Sequence, residues 1–187
     1  MIREALDGPS SADAALVRGT GQACNDKKAA GELVLKTSGF GYLGRKGPAL
    51  FFSEMDPQGG VGFQIVDARN GRTVFKDAAV GVNDDLIQSV AMAKDGLRLS
   101  YKRAINASCS LLQNAARCWA SLVTSKQIPQ EMAAQIPPGG ICSASYKESN
   151  APADDPSIVI YDNEIVLSAG GQSRLLKHGP VTCSPKP

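Results

Sequence analysis

Few residues of this chain are equipped for chemistry. His178 is the single histidine. As a general base it needs a nucleophile and an orienting carboxylate brought to it by the fold. Its neighbours Lys177, Gly179 and Pro180 read as a surface turn. Serines are numerous, but no Gly-x-Ser-x-Gly elbow occurs. A thiol nucleophile beside His178 would compete with the use of cysteines as crosslinks. Asp84 with Asp85, and Asp154 with Asp155, are adjacent acidic pairs. Neighbours along a strand point to opposite faces, so neither pair builds a two-carboxylate site. No EF-hand loop surrounds them, and they read as solvated loop carboxylates. Residues 39–44 (GFGYLG) fit G-x-G-x-x-G. A dinucleotide fold needs a helix there to hold the pyrophosphate on its N-terminus. Arg45, Lys46, Gly47 and Pro48 followed by an apolar strand leave no room for one. The segment reads as a flexible glycine hairpin, and no cofactor is expected.

The cysteines are Cys24, Cys109, Cys118, Cys142 and Cys183. No C-x-x-C pair exists, and one histidine cannot complete a common Cys/His zinc pattern, so no metal is expected. Two uses remain: buried free thiols, or two disulfides in an oxidising compartment. The disulfide reading is preferred. Cys109 and Cys118 flank residues 110–117, a polar stretch able to turn a hairpin. Joining Cys142 to Cys183 would tie down the C-terminus. Four cysteines leave more than one connectivity open, and Cys24 is left over. Residues 1–7 are charged and carry no apolar export core. The expectation is a mature chain, periplasmic or secreted, whose export signal has been removed.

These groups must be positioned by a scaffold of 187 residues, long enough to bury a full core. With 20 basic and 18 acidic residues, the charge nearly cancels, which argues against a dedicated nucleic-acid binder. Aromatic residues make up 5% of the chain, too few to suggest a stacking platform for single strands. No apolar run reaches the roughly 18 residues of a membrane-spanning helix. Arg45 with Lys46, Arg69 with Arg72, and Lys102 with Arg103 read as edge-strand charges.

Residues 1–30 read as an N-terminal arm, with 11–18 either a short Ser-capped helix or loose chain. Residues 31–187 read as one β-rich domain. Strands are expected at 32–36, 48–53, 61–67, 73–75, 97–101, 119–123, 141–146, 157–161 and 164–167. Residues 84–92 are ambiguous between strand and helix. Turns are expected at 56–60, 94–96 and Asp162–Asn163, and Asn70-Gly71 between apolar runs is the best hairpin signal. Residues 129–136 read as a short helix. The pattern predicts an all-β fold, an antiparallel sandwich or incomplete β-propeller with one or two short helices.

Residues 93–102 (AKDGLRLSYK), the Ser108-Cys109-Ser110 loop after them and the return segment carrying Cys118 resemble the periplasmic immunity proteins that neutralise type VI secretion amidase effectors. The resemblance implies a non-enzymatic inhibitor whose partner is a protein, a peptidoglycan amidase effector. A serine-bearing loop between two strands would enter the effector's Cys/His active site, with Ser108 and Ser110 where the inhibitory serine sits. The residues support a binding role by a separate route. Residues 104–114 mix small polar with apolar side chains, and a loop anchored at Cys109 loses little entropy on binding. The candidate partner-binding residues are Asn106, Ser108, Ser110, Gln113 and Asn114. The same stretch also reads as a structural hairpin closed by its disulfide. The alternatives in function are an envelope ligand-binding or scaffold module of unknown ligand, and a hydrolase using His178.

Overall fold

The computed structural model describes residues 2–3, 13–16, 31–37, 39–54, 61–81, 86–137 and 139–186. Cys24, Asp84, Asp85, the 56–60 turn and most of residues 1–30 lie outside them. Three short strands, β1 (Ile2–Arg3), β2 (Ala14–Leu16) and β3 (Leu33–Leu35), pair antiparallel in that order. Residues 14–16 are thus strand and not helix: Ala14, Ala15 and Leu16 are all buried, and the Ala14 N–H donates to the Thr37 hydroxyl at 2.8 Å.

Next comes an antiparallel meander of β4 (Phe40–Lys46), β5 (Ala49–Glu54), β6 (Val61–Asp67) and β7 (Arg72–Ala79). The glycine-rich segment at 39–44 therefore enters an edge strand instead of forming a hairpin, with a bulge between Tyr42 and Gly44. A bulge of this kind blunts an exposed edge. The Asn70-Gly71 hairpin forms as expected. Gly71 takes φ +72°, a left-handed conformation that glycine adopts without steric penalty, and its N–H donates to the Asp67 carbonyl at 2.7 Å.

β8 (Ser89–Ala93) returns through Lys94 and Asp95 into β9 (Gly96–Asn106), the strand that organises the rest. Gly96 sits at φ +140°, and a Cβ there would lie 2.2 Å from the Leu167 carbonyl oxygen, so no side chain fits. After β9 come α1 (Leu111–Thr124), a single 3-10 turn at Gln130–Met132, and α2 (Gly139–Glu148). β10 (Ser157–Leu167) pairs with β9 along its length. β11 (Ser173–His178) and β12 (Thr182–Pro185) share the other side of β10.

Several expectations for the second half change. The 110–117 stretch forms a capped helix start and not a hairpin, because Ser110 supplies the N-cap and Leu111, Ala115, Cys118, Trp119 and Leu122 recur at helical spacing on the face packed into the core. Residues 119–123 belong to the same helix. Residues 141–146 are also helical, with Cys142 and Tyr146 buried one turn apart. The expected helix at 129–136 shrinks to the 3-10 turn. Asp162 and Asn163 make no turn: the strand runs straight through them, and Asn163 is buried opposite Tyr101.

The architecture is an all-β sandwich with two short helices, open and not closed into a barrel. One nine-stranded hydrogen-bonded sheet folds over itself where β7 meets β9 at Ala79 and Arg103. The fold brings Phe51, Phe63 and Ile65 of the meander onto Leu97, Leu99 and Tyr101 of β9. Rings of Phe63 and Tyr101 meet edge-on at 5.1 Å between centroids. The opposite face of β5 and β6 carries Leu50, Phe52 and Val66, which pack beneath β2 and β3. Burial on both faces explains why those strands read as nearly unbroken apolar runs. Farther along β9 and β10, Ile105, Val159 and Tyr161 are covered by Leu111, Trp119 and Leu122 of α1 together with Cys142 and Cys183.

Candidate functional site

The five candidate binding residues span the end of β9 (Asn106), the connector to α1 (Ser108 and Ser110) and the first turn of α1 (Gln113 and Asn114). Asn106 ends the strand, exposed, and Ala107 tucks into the core. Two backbone bonds fix the connector to β10: the Ala107 N–H donates to the Ser157 carbonyl at 2.8 Å, and the Ser157 N–H to the Cys109 carbonyl at 3.0 Å. Cys109 is then bonded to Cys118 two turns into α1, with Cα atoms 5.7 Å apart. Ser108 is left as the exposed side chain of the bend.

Ser110 has a different task. It is buried, its hydroxyl accepts from the Gln113 N–H at 3.1 Å, and it donates to the Ala153 carbonyl at 2.6 Å. Both hydrogen-bonding capacities go into capping the helix and tying it to the 153–157 loop. The reading of Ser110 as a partner-binding serine is therefore corrected to a structural cap. Gln113 and Asn114 lie exposed in the first turn. Asn114 leaves helical geometry (φ −149°, ψ 76°), and its carboxamide oxygen accepts from the Arg117 N–H at 3.2 Å, capping the remaining helix.

A second tie sits beneath this one. Ser157, fully buried, accepts from the Leu111 N–H at 2.8 Å and bonds the Tyr146 hydroxyl at 2.7 Å. Tyr146 in turn donates to the Asp155 carbonyl at 2.7 Å. One hydroxyl node thus joins α1, α2 and β10. Cys142 of α2 is bonded to Cys183 of β12, with Cα atoms 5.1 Å apart. The arrangement leaves Asn106, Ser108, Gln113 and Asn114 exposed on a segment fixed at both ends, with no nucleophile–base pair among them.

The sequence reading missed a polar cluster on the same face of β9 and β10, at the border between the sandwich core and the helix-covered core. Tyr101 donates to the Asp77 carboxylate at 2.5 Å, Arg103 Nε donates to it at 3.0 Å, and Arg103 Nη1 donates to the Tyr161 hydroxyl at 2.8 Å. Asn163 is buried directly across the ladder from Tyr101. Arg103 is therefore an inward, half-buried cation and not an edge-strand charge. Burial pushes the Tyr101 phenol far above its usual pKa, and the Asp77 charge pushes the same way. Burial opposes the charge on Arg103, but Asp77 and the two tyrosines outweigh it and keep the guanidinium protonated. Burial also raises Tyr161, against the pull of Arg103. The signal was legible in principle. Residues 97, 99, 101, 103 and 105 share one strand face, so an Arg at 103 had to face inward with Leu97 and Leu99.

His178 ends β11. Its ring nitrogens lie 3.1 Å from the Gln135 amide nitrogen and 3.0 Å from the Gly179 carbonyl oxygen. Neither partner is a nucleophile or a carboxylate. Among the described residues no three His, Cys, Asp or Glu side chains gather as metal ligands. No described helix is long and apolar enough to cross a membrane. A mainly apolar cleft of about 180 Å³ opens at the end of the sandwich beside Ala49, Leu97, Leu167 and the exposed Met92, smaller than a typical drug-sized site of about 300 Å³ or more. Two disulfides, an all-β fold and a rigid polar connector are the features that bear on function. No protein-family model, no curated protein and no solved structure matches the chain.

Proposed function

We propose that this chain is a non-enzymatic, exported protein that binds another protein through the 106–114 connector and blocks it sterically, with a cell-wall amidase as partner. The observation that supports this reading is the fixing of the connector on three sides: backbone bonds to β10, the Cys109–Cys118 bridge and the Ser110 cap. A segment already held in one shape gives up little conformational entropy when it docks. Its exposed side chains are short and polar, suited to hydrogen-bonding a polar active-site cleft. The resemblance of residues 93–118 to amidase immunity proteins supplies the partner class, and Ser108 takes the inhibitory role. Disulfide bonds persist in oxidising compartments, which supports a periplasmic or secreted location.

The test is inhibition of a purified peptidoglycan amidase with a Cys/His active site. Ser108→Trp is expected to abolish inhibition while circular dichroism and melting temperature stay unchanged. Ser110→Ala should lower stability by about 1 kcal/mol through loss of the cap and leave inhibition intact at temperatures where the protein is folded. The opposite pattern, with Ser108→Trp still inhibiting, sinks the assignment. So does a native protein that does not inhibit.

A further inference from the structure

The polar cluster between the two cores floors a cleft of about 370 Å³ between β7, β10, β11 and the 3-10 turn. That volume lies at the lower end of small-molecule sites. Three cationic groups on the floor and rim decide what it can hold: Arg103, Lys76 and Arg174. Their carboxylate counterparts are unevenly available. Asp77 is largely occupied, because its oxygens accept from the Tyr101 hydroxyl, the Arg103 guanidinium and the Ala78 N–H. It serves to hold Arg103. Arg174 reaches Asp95 only at 3.6 Å, with both side chains largely in solvent, a geometry worth little. Glu131 is the remaining carboxylate lining the cleft, exposed on the 3-10 turn.

Arg103 carries the inference. Its guanidinium is pinned at two points, by Asp77 and by Tyr161, and its side chain is 20% exposed. A guanidinium has five N–H donors. Two are used in these bonds, and the others make no hydrogen bond among the described residues. A fixed, partly desolvated arginine with donors to spare is preorganised for a carboxylate, which it can bind through two parallel bonds. Phe75, Ile165 and Leu175 line the same cleft and supply apolar wall. The matching ligand therefore carries a carboxylate on a small apolar body.

We propose that this cleft binds a small apolar carboxylate, either a free acid or the C-terminal carboxylate of a short peptide, anchored by Arg103 and attracted by Lys76 and Arg174. The proposal shares no residue with the 106–114 connector, so either can fail alone.

The experiment is an NMR titration of the isotope-labelled full chain with three probes: acetyl-alanyl-alanine, the same peptide as its C-terminal amide, and hexanoate. The two acids are expected to shift the backbone amides of residues 75–77, 101–103, 163–165 and 173–175. The amide should bind at least tenfold more weakly, and added salt should weaken the acids because the attraction is partly Coulombic. Tighter binding of the peptide acid assigns the site to peptide termini; tighter binding of hexanoate assigns it to free acids. Lys76→Gln with Arg174→Gln leaves the Asp77–Arg103 pair in place and should weaken the acids several-fold. Arg103→Lys keeps a charge beside Asp77 but loses the fork, and should weaken them about tenfold. If Arg103→Lys does not fold, the double rim variant decides. Equal binding of acid and amide overturns the proposal. So does an absence of shifts at these residues with the acids in the tens of millimolar, or acid affinity unchanged in the double rim variant.

Discussion

One face of β9 and β10 is covered twice, by two kinds of structure. Over Leu97, Leu99 and Ile165 lies the β4–β7 meander, joined to β9 by the sheet itself and filled by Phe51, Phe63 and Ile65. Over Ile105, Val159 and Tyr161 lie α1 and α2, which share no ladder with any strand. Both disulfides fall in this second half, and among the described residues the sandwich half has none. The helices are short: α1 has 14 residues with a break at Asn114, and α2 has 10. Isolated helices below about 12–15 residues are marginal in water. Strands draw stability from neighbours far away in sequence, whereas a short helix lying on a sheet has only its buried side chains. Covalent bridges and the Ser157 hydroxyl node hold in place what packing alone would hold loosely.

The largest test of that contrast removes both bridges by Cys→Ala substitution. In the chain-entropy account, separations of 9 and 41 residues correspond to about 2.6 and about 4 kcal/mol. The pair should therefore cost about 6.5 kcal/mol, and the loss should be local. Amides of α1 and α2 are expected to lose hydrogen-exchange protection while β5, β6 and β9 keep theirs. Uniform loss across all elements would mean that the two halves unfold as one unit and that the contrast has no energetic content.

A smaller change probes the border itself. Arg103→Met leaves the Asp77 carboxylate half-buried without its cation. Breaking a buried pair from one side costs about 3–5 kcal/mol, and the side chain of Asp77 is 11% exposed. Urea unfolding should show a loss toward the lower end of that range, since the Tyr101 hydroxyl still donates to the carboxylate. Because the cluster touches both cores, protection should fall on both sides of it. A loss confined to the sandwich side would place the cluster inside that half and not between the two.

The same contrast decided how far the fold could be read in advance. The sandwich half announces itself locally: Asn70-Gly71 turns, Leu97 to Tyr101 alternates, and residues 49–52 and 61–66 are apolar enough for strands buried on both faces. The helical half does not. Residues 119–123 and 141–146 are short and mixed, and whether Trp119 and Cys142 sit on a strand or a helix depends on what lies beneath them. Gly139 and Gly140 look like a stop signal, yet α2 begins there. The continuity of β10 through Asp162 and Asn163 was hidden for a related reason. Asp and Asn favour turns in isolation, but Asn163 faces Tyr101 across the ladder and is buried there within a continuous pairing of β10 with β9. The spacing of the cysteines suits the pairs Cys109–Cys118 and Cys142–Cys183, although the first ties the connector to the second turn of α1 and does not close a hairpin. Of the connector residues, Asn106, Ser108, Gln113 and Asn114 are exposed, whereas Ser110 turned inward because a helix beginning at Leu111 needs a cap.

The mildest test uses acid, which should separate the two halves without any substitution. Asp67 ends β6 and is buried in the sandwich half. Its carboxylate accepts from the Arg69 side chain at 2.7 and 2.9 Å and from the Arg69 N–H at 2.9 Å. The Arg69 hydrogen bonds hold its pKa below the ordinary carboxylate value, against the opposing effect of burial. A carboxyl whose folded pKa is depressed adds stability that is fully present above its unfolded value, near pH 4, and fades as pH falls through the folded one. The 68–71 turn should therefore loosen as pH drops below about 4, seen as faster hydrogen exchange at Asn70, Gly71 and Arg72. The N–H groups of Asn70 and Gly71 bond the Asp67 backbone carbonyl, and the Arg72 N–H bonds the Asn70 side chain. Protonation thus acts on them only through the turn's geometry, and the effect should be small. The start of α1 is held instead by the serine hydroxyls of Ser110 and Ser157, with no carboxylate in these bonds, so amides at the start of α1 should show no matching step. Asp67→Asn keeps an acceptor oxygen but carries no charge. It should begin with a looser turn at neutral pH and lose the acid dependence. If the variant retains that dependence, another carboxylate is responsible for it.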